Sequence, residues 1–336
     1  MITLSDLEKF DPSGMYKIYD QWPEIAKKAY ESNYDEVAFN GIDHIVFAGM
    51  GGSGAIGDLF FSILSKSNIH VSLVKGYLLP RTINKNTLVI VTSVSGNSLE
   101  TLTILESANK LDCSLIAFSS GGKMERFCKD NKIHYRKIEL FHSPRTSLIK
   151  YVYSILRILN SILPITKDEI TESINELVNI RNNIGSHNLS ESNYSLELAG
   201  WISSIPLIYY PHGLESTAIR FKSSLQENAK SHAIIEDVIE ACHNGIVAWE
   251  KTSSIQPILI RGKDDYIKTK ERWEIIKEYF SKNKIDFKEV YSINGNILSK
   301  IIVLTYLLDY SSIYNAVINK IDPTPVRPID FIKSKL

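Results

Sequence analysis

The sequence predicts an α/β fold of parallel sheets flanked by helices, doubly wound, in two domains. Short apolar, β-rich runs alternate with helical segments along the whole 336 residues, the pattern of strands joined by crossover helices. The first such run ends in a dense glycine turn, and the third is nearly all β-branched or apolar, as a strand buried on both faces must be. The length fits two α/β domains better than one. The expected division is 1–150 and 151–336.

Each element follows from local pattern. Asp43–Ala48 is a buried strand, and Ala55–Leu64 the helix after its turn. His70–Lys75 and Thr87–Thr92 are further strands. A helix runs from Ser98 to Lys110, then a strand Ser114–Phe118. A turn at Gly121-Gly122, a short helix and a strand Ile133–Ile138 follow. Ser147–Leu163 reads as a long apolar helix stopping before Pro164, and it joins the halves. The second half repeats the alternation: helix Asp168–Asn183, strand Ile205–Tyr210, helix Leu214–Glu227, strand Pro257–Arg261, helix Tyr266–Lys282, strand Phe287–Ile293, and a long apolar helix to about Asn319. The tail Asp322-Pro323-Thr324-Pro325-Val326-Arg327-Pro328 is too rich in proline for a helix interior.

Composition excludes several classes. Lys plus Arg and Asp plus Glu are 38 each, which argues against a nucleic-acid binder working through a large basic surface. The three cysteines, Cys113, Cys128 and Cys242, form no CxxC pair, which fits a reducing cytoplasm. The N-terminus lacks the basic-then-apolar pattern of a signal peptide, and no uninterrupted apolar run is long enough to span a bilayer. A cytoplasmic protein with neither a membrane nor a nucleic-acid partner is expected.

Two loops carry the chemistry. Gly49-Met50-Gly51-Gly52-Ser53-Gly54 matches the spacing of a dinucleotide-binding turn. That fold also needs an acid about 20 positions on, at the end of the next strand. Here that strand ends Leu73-Val74-Lys75-Gly76, with no acid, although a lysine would suit a phosphorylated dinucleotide. Gly52 and Ser53 instead suit close approach of an anion to backbone N–H groups and a helix start. The plain alternative is a strand–helix turn with no ligand. The second loop, Ser93-Val94-Ser95-Gly96-Asn97-Ser98, lies at the carboxyl end of a parallel strand, where ligands bind in open α/β sheets. Helix capping, with Asn97 and Glu100 as the cap pair, needs one polar side chain rather than three hydroxyls.

The pairing of these loops resembles the SIS (sugar isomerase) fold, in which two such loops clasp a sugar phosphate. Along nearly the whole chain the sequence is similar to the bifunctional phosphoglucose/phosphomannose isomerases, which carry two SIS domains. The resemblance implies that Gly52, Ser53, Ser93, Ser95 and Ser98 bind the phosphate of a hexose 6-phosphate. Ser98 stands where the family more often has threonine.

Arg220-Phe221-Lys222-Ser223-Ser224-Leu225-Gln226-Glu227-Asn228-Ala229-Lys230 resembles the family's R-W-K…N-E-N-A-K signature, which makes Glu227 the base. A carboxylate suits proton abstraction beside a carbonyl. Cys242-His243-Asn244-Gly245-Ile246-Val247 resembles N-H-N-E-I-V, which assigns His243 to ring opening, reaching across from the partner subunit of a homodimer. Pro144-Arg145 resembles the family's P-R motif, its arginine balancing enediolate charge or holding an orienting water. The tail resembles D-P-T-P-V…L-K, which places Thr324 near C1 and C2 and Lys333, with Lys335 as the alternative, near the ring oxygen. The chain departs from the family at Gln226 for asparagine, Gly245 for glutamate and Cys242 for a polar residue. Taken alone, Glu227 is a solvated helix-end acid, His243 a structural histidine, Arg145 part of a surface turn and Lys333 a charge on a solvated tail.

The implied activity is isomerisation between glucose 6-phosphate or mannose 6-phosphate and fructose 6-phosphate through a cis-enediol(ate). The departures keep open a non-catalytic sugar-phosphate sensor of the same fold. The remaining histidines, His44, His70, His134, His142, His187, His212 and His232, show no metal-ligand spacing. No cofactor and no metal are expected.

Overall fold

The computed structural model describes residues 2–336, which fold into two compact units. One is Gln21–Ile174; the other joins the chain up to Asp20 with Asn175–Leu336. The expected boundary at residue 150 falls inside a helix of the first unit, because that helix packs on elements of its own sheet. Two helices not expected from the sequence, α1 (Leu4–Phe10) and α2 (Met15–Asp20), belong to the second unit.

The first unit opens with α3 (Trp22–Tyr30). It continues β1 (His44–Ala48), α4 (Gly52–Leu64), β2 (His70–Val74), β3 (Thr87–Ser93), α5 (Leu99–Ala108), β4 (Ser114–Ser119), α6 (Gly122–Asp130), β5 (His134–Lys137) and α7 (Leu148–Ile158). The sheet is parallel throughout, in the order β2-β1-β3-β4-β5. Strand side chains alternate between faces. Val46, Ala48, Val89, Val91 and Ala117 point to one face, where Ile104 and Leu105 of α5 and Met124 and Cys128 of α6 cover them. On the other face α4 lies so close that a Cβ on Gly57 would stand 3.0 Å from the Cβ of Phe47. The central strands are buried along their whole length, which is why they read as unbroken apolar runs. Burial at about 25 cal/mol per Å2 of apolar surface dominates the stability of such a sheet.

The connecting helix α8 (Lys167–Ile184) leads into the second unit: α9 (Tyr194–Trp201), β6 (Pro206–Tyr210), α10 (Glu215–Asn228), β7 (Ile234–Asp237), α11 (Val238–Ala241), a 3-10 turn at Gly245–Glu250, β8 (Gln256–Arg261), α12 (Ile267–Lys282), β9 (Lys288–Tyr291), α13 (Ile297–Ile318) and α14 (Arg327–Lys333). Its sheet is again parallel, in the order β7-β6-β8-β9. Leu207, Tyr209 and Leu259 pack on one face with Val238 and Ala241 of α11 and Trp273, Ile276 and Phe280 of α12. Helix α13 is 22 residues long and apolar enough to cross a membrane by length and composition, although Lys300 and Asp309 interrupt its apolar run. Of its most apolar 18-residue stretch 94% is buried, so its apolarity reflects a core position with helices on several sides.

Candidate functional site

The strand order of the first unit decides where its loops meet. Strand order reverses at β1, with β2 laid on one side of it and β3 on the other, so the carboxyl ends of β1 and β3 flank a crevice, the position at which this sheet order binds ligands. The glycine turn follows β1, and the hydroxyl-rich loop follows β3. They are joined directly: the buried Ser53 hydroxyl accepts the Val94 backbone N–H at 2.9 Å. Ser93, the last residue of β3, donates to the Ser98 hydroxyl at 3.4 Å. Ser95 is exposed and accepts the Asn97 N–H at 3.3 Å. Gly52 opens α4 and Ser98 precedes the first turn of α5, so both loops deliver helix starts to one crevice.

Capping does not account for the second loop. Asn97 carries no cap for α5; its Oδ1 accepts the Lys123 N–H at 3.1 Å, at the start of α6. Ser98 holds the cap position but makes no side-chain cap bond. The dinucleotide alternative for the first loop also loses its support. The Lys75 ammonium, which would have met a ribose phosphate, is held 2.6 Å from the buried Asp58 carboxylate of α4.

Arg145 comes to the same loops through the backbone. A Cβ on Gly52 would lie 3.2 Å from the Pro144 carbonyl and 3.3 Å from the Arg145 Cα. The glycine therefore permits this approach, and Arg145 is 4% exposed rather than on a surface turn. The turn around it is braced by Thr146, whose hydroxyl donates to Phe141 O at 2.7 Å, and by Ser147, whose hydroxyl accepts the Phe141 N–H at 2.9 Å.

In the second unit, Glu227 lies in the last turn of α10, half-buried. Lys230, in a left-handed backbone conformation just past the helix, brings the proline tail to it. Its ammonium donates to the backbone oxygen of Glu227 and to those of Pro323 at 3.2 Å and Pro325 at 2.8 Å. Thr324 is thus fixed beside the α10 terminus, its N–H donating to Asp322 Oδ1 at 2.9 Å. His243 is exposed on the loop after α11, and its N–H donates to Glu240 O at 2.9 Å. At Gly245 a Cβ would collide with the Glu236 carboxylate of β7. A carboxylate therefore does stand at this loop, supplied by the strand rather than by position 245. Burial, then repulsion from Glu240, pushes the Glu236 carboxyl up. Lys333 is exposed in the last turn of α14, and the neighbouring Lys335 sits 5.8 Å over the Phe331 ring.

Sequence reasoning missed the polar group buried beneath Glu227. Arg220 and Ser224 share its face of α10 and meet Asp309 of α13. Arg220 and Ser224 sit one helical turn apart, a local signal; Asp309 is 89 residues further on, with no pattern to mark it.

A family model described as the bacterial phospho-glucose isomerase C-terminal SIS domain matches residues 191–336. A bifunctional phosphoglucose/phosphomannose isomerase from Caldicellulosiruptor bescii is 32% identical, over 96% of this chain and 98% of its own. One from Aquifex aeolicus is 27% identical over 96% of both. Among solved structures, the C-terminal domain of glucosamine-fructose-6-phosphate aminotransferase from Francisella tularensis shares the fold, with a TM-score of 0.66 at 17% identity, covering 90% of this chain and 95% of that one.

Proposed function

The chain belongs to the family of bifunctional phosphoglucose/phosphomannose isomerases, and from that premise we propose that it interconverts fructose 6-phosphate with glucose 6-phosphate and mannose 6-phosphate. The observation that carries this reading is the meeting of two hydroxyl- and glycine-rich loops across the β1/β3 crevice, joined by Ser53 and Val94. Such a site suits a phosphate monoester: the donors of the two loops are small hydroxyls and helix starts.

The phosphate is held by Gly52, Ser53, Ser93, Ser95 and Ser98. His243 of the partner subunit, in a homodimer, opens the ring, with Lys333 at the ring oxygen. Glu227 takes the proton from C2 of the open-chain aldose and returns it to C1. The C1 carbonyl oxygen becomes a hydroxyl as the C2 hydroxyl becomes the ketone. Between these steps the cis-enediol(ate) carries negative charge, which Arg145 balances. Thr324 borders C1 and C2, where room for either C2 configuration admits both epimers. The three free thiols fit the reducing cytoplasm proposed for the enzyme.

The test is purified protein incubated with fructose 6-phosphate and assayed for both aldose esters, beside Glu227→Gln. Both products from wild type and neither from the variant are expected. Tight binding without turnover by wild type would make the chain a sugar-phosphate sensor instead.

A further inference from the structure

We propose that Arg220, held by Asp309 and Tyr19, is a positioning residue that keeps Glu227 oriented for proton abstraction and sets the field at its carboxylate. The proposal deepens the reading above and rests on Glu227 being the base.

Geometry carries it. Arg220, Ser224 and Glu227 stand at i, i+4 and i+7 of α10, one face of the helix, and helical side chains lean toward the N-terminus, so Glu227 leans back over the turn of Ser224, which bonds the same Asp309 that holds Arg220. The guanidinium is 3% exposed. Its Nε lies 3.1 Å from both Asp309 oxygens, and its Nη2 donates to Asp309 Oδ2 at 2.7 Å and to the Tyr19 hydroxyl at 3.3 Å. Asp309, fully buried, also accepts from Ser224 at 2.5 Å and from Tyr19 at 2.9 Å. The fork is thereby fixed in one orientation. A buried ion pair of this kind gains little stability over an apolar pair of the same shape, so a role in the site accounts for it better than packing does.

The charges facing it are few. Burial works to lower the guanidinium, but Asp309, Tyr19 and Glu227 act on it in the opposite sense and hold it above its ordinary range. Of the elements packed on α10, α13 presents Asp309 and α2 presents Tyr19. Strands β6 and β7 end in Tyr210, Glu236 and Asp237; burial, then Glu215 of α10 and these two carboxylates, raise the Tyr210 hydroxyl. Lys230, whose ammonium donates to the backbone oxygens of Glu227, Pro323 and Pro325, is the second cation at that helix end. Glu227 therefore faces a cation whose charge Asp309 partly cancels. Removing either partner should change the field at Glu227 in opposite directions.

The experiment is the pH profile of kcat/KM for fructose 6-phosphate. In Asp309→Asn, the uncancelled Arg220 charge should move the acidic limb down by about one pH unit. In Arg220→Gln, the limb should move up by about as much. Because Arg220→Gln leaves Asp309 buried without its cation, at a cost that threatens folding, the double variant Arg220→Gln/Asp309→Asn serves beside it. With both charges gone, its limb should return near wild type while kcat stays at least tenfold down. Opposite shifts, or the Asp309→Asn shift reversed in the double variant, establish the role. Limbs that stay put, or move together, with only kcat and melting temperature changed, overturn it in favour of structure alone. Glu227→Gln with full turnover would instead sink the base assignment, which separates the two failures.

Discussion

The Ser53 hydroxyl accepts the Val94 N–H at 2.9 Å, so one side chain in the first turn of α4 fixes the loop that follows β3. Its removal does two things. It leaves a buried backbone N–H without its partner, which costs about 1–3 kcal/mol of stability, and it releases two phosphate loops from each other. Ser53→Ala should therefore lower the melting temperature and raise KM for fructose 6-phosphate by roughly tenfold, the equivalent of about 1.4 kcal/mol. Ser95 is exposed and bonds only within its own turn. Ser95→Ala should raise KM with the melting temperature unchanged. Equal losses of stability in the two variants would show that Ser53 does not join the loops.

Gly96 adopts φ +69°, and a Cβ there would collide with the Gly121 carbonyl oxygen. The neighbouring bonds, Met124 N–H to Gly96 O at 2.9 Å and Ser120 N–H to Val94 O at 3.0 Å, lock the second phosphate loop to the start of α6. Left-handed backbone alone costs a non-glycine residue about 1–2 kcal/mol, and the collision adds to it. Gly96→Ala should cost more than about 2 kcal/mol in urea unfolding and weaken phosphate-ester binding with it. A loss below about 1 kcal/mol would mean that the loop gives way freely.

These two loops are legible in the sequence because glycine and serine at the end of an apolar strand have few other uses. The central strands are legible for a related reason: β1 and β3 are buried on both faces and tolerate little but apolar residues. Strand β7 is not legible. It is four residues long, lies at the sheet edge and ends in Glu236 and Asp237, whose character is set by a loop and a cap rather than by the sheet. The first two helices are short and amphipathic, and their pairing with α13, whose Tyr306 donates to Tyr19 O at 2.6 Å, is a long-range fact. The Arg220–Asp309 pair is hidden in the same way. Gly245 reads in the sequence only as a lost carboxylate, since nothing local shows that Glu236 fills the place.

Lys230 pins the proline tail through its ammonium while its backbone sits at φ +57°. These two properties can be separated. Lys230→Gly relieves the backbone and loses the anchor, whereas Lys230→Met keeps the backbone cost and loses the anchor. If the anchor holds the tail, both variants should be cut by trypsin after Lys333 well before wild type is. Both should also lose kcat/KM by roughly tenfold, through Thr324 and the orientation of Glu227. Unchanged cleavage at the tail in both variants would show that proline packing alone keeps it in place.

Glu236 gives a pH dependence with a definite sign. Burial, and then Glu240, raise its carboxyl above the ordinary value in the folded state. A carboxyl raised on folding supports the fold fully below its unfolded pKa of about 4.3, and that support is lost as pH rises through the folded value. At pH 7 the ionised side chain is a cost, so Glu236→Gln should raise the melting temperature there. The gain should shrink as pH falls and vanish by about pH 4. Gly245→Ala acts on the same carboxylate from the other side, since its Cβ would drive Glu236 out of place. Part of what the alanine costs is this displacement, which glutamine of the same shape would still suffer, so the pair to combine is Gly245→Ala with Glu236→Ala, and that double variant should be less destabilised than the sum of the singles predicts. Strict additivity, with a gain from Glu236→Gln that is the same at pH 4 and pH 7, would show that the carboxylate is solvated and has no hold on the loop that carries His243.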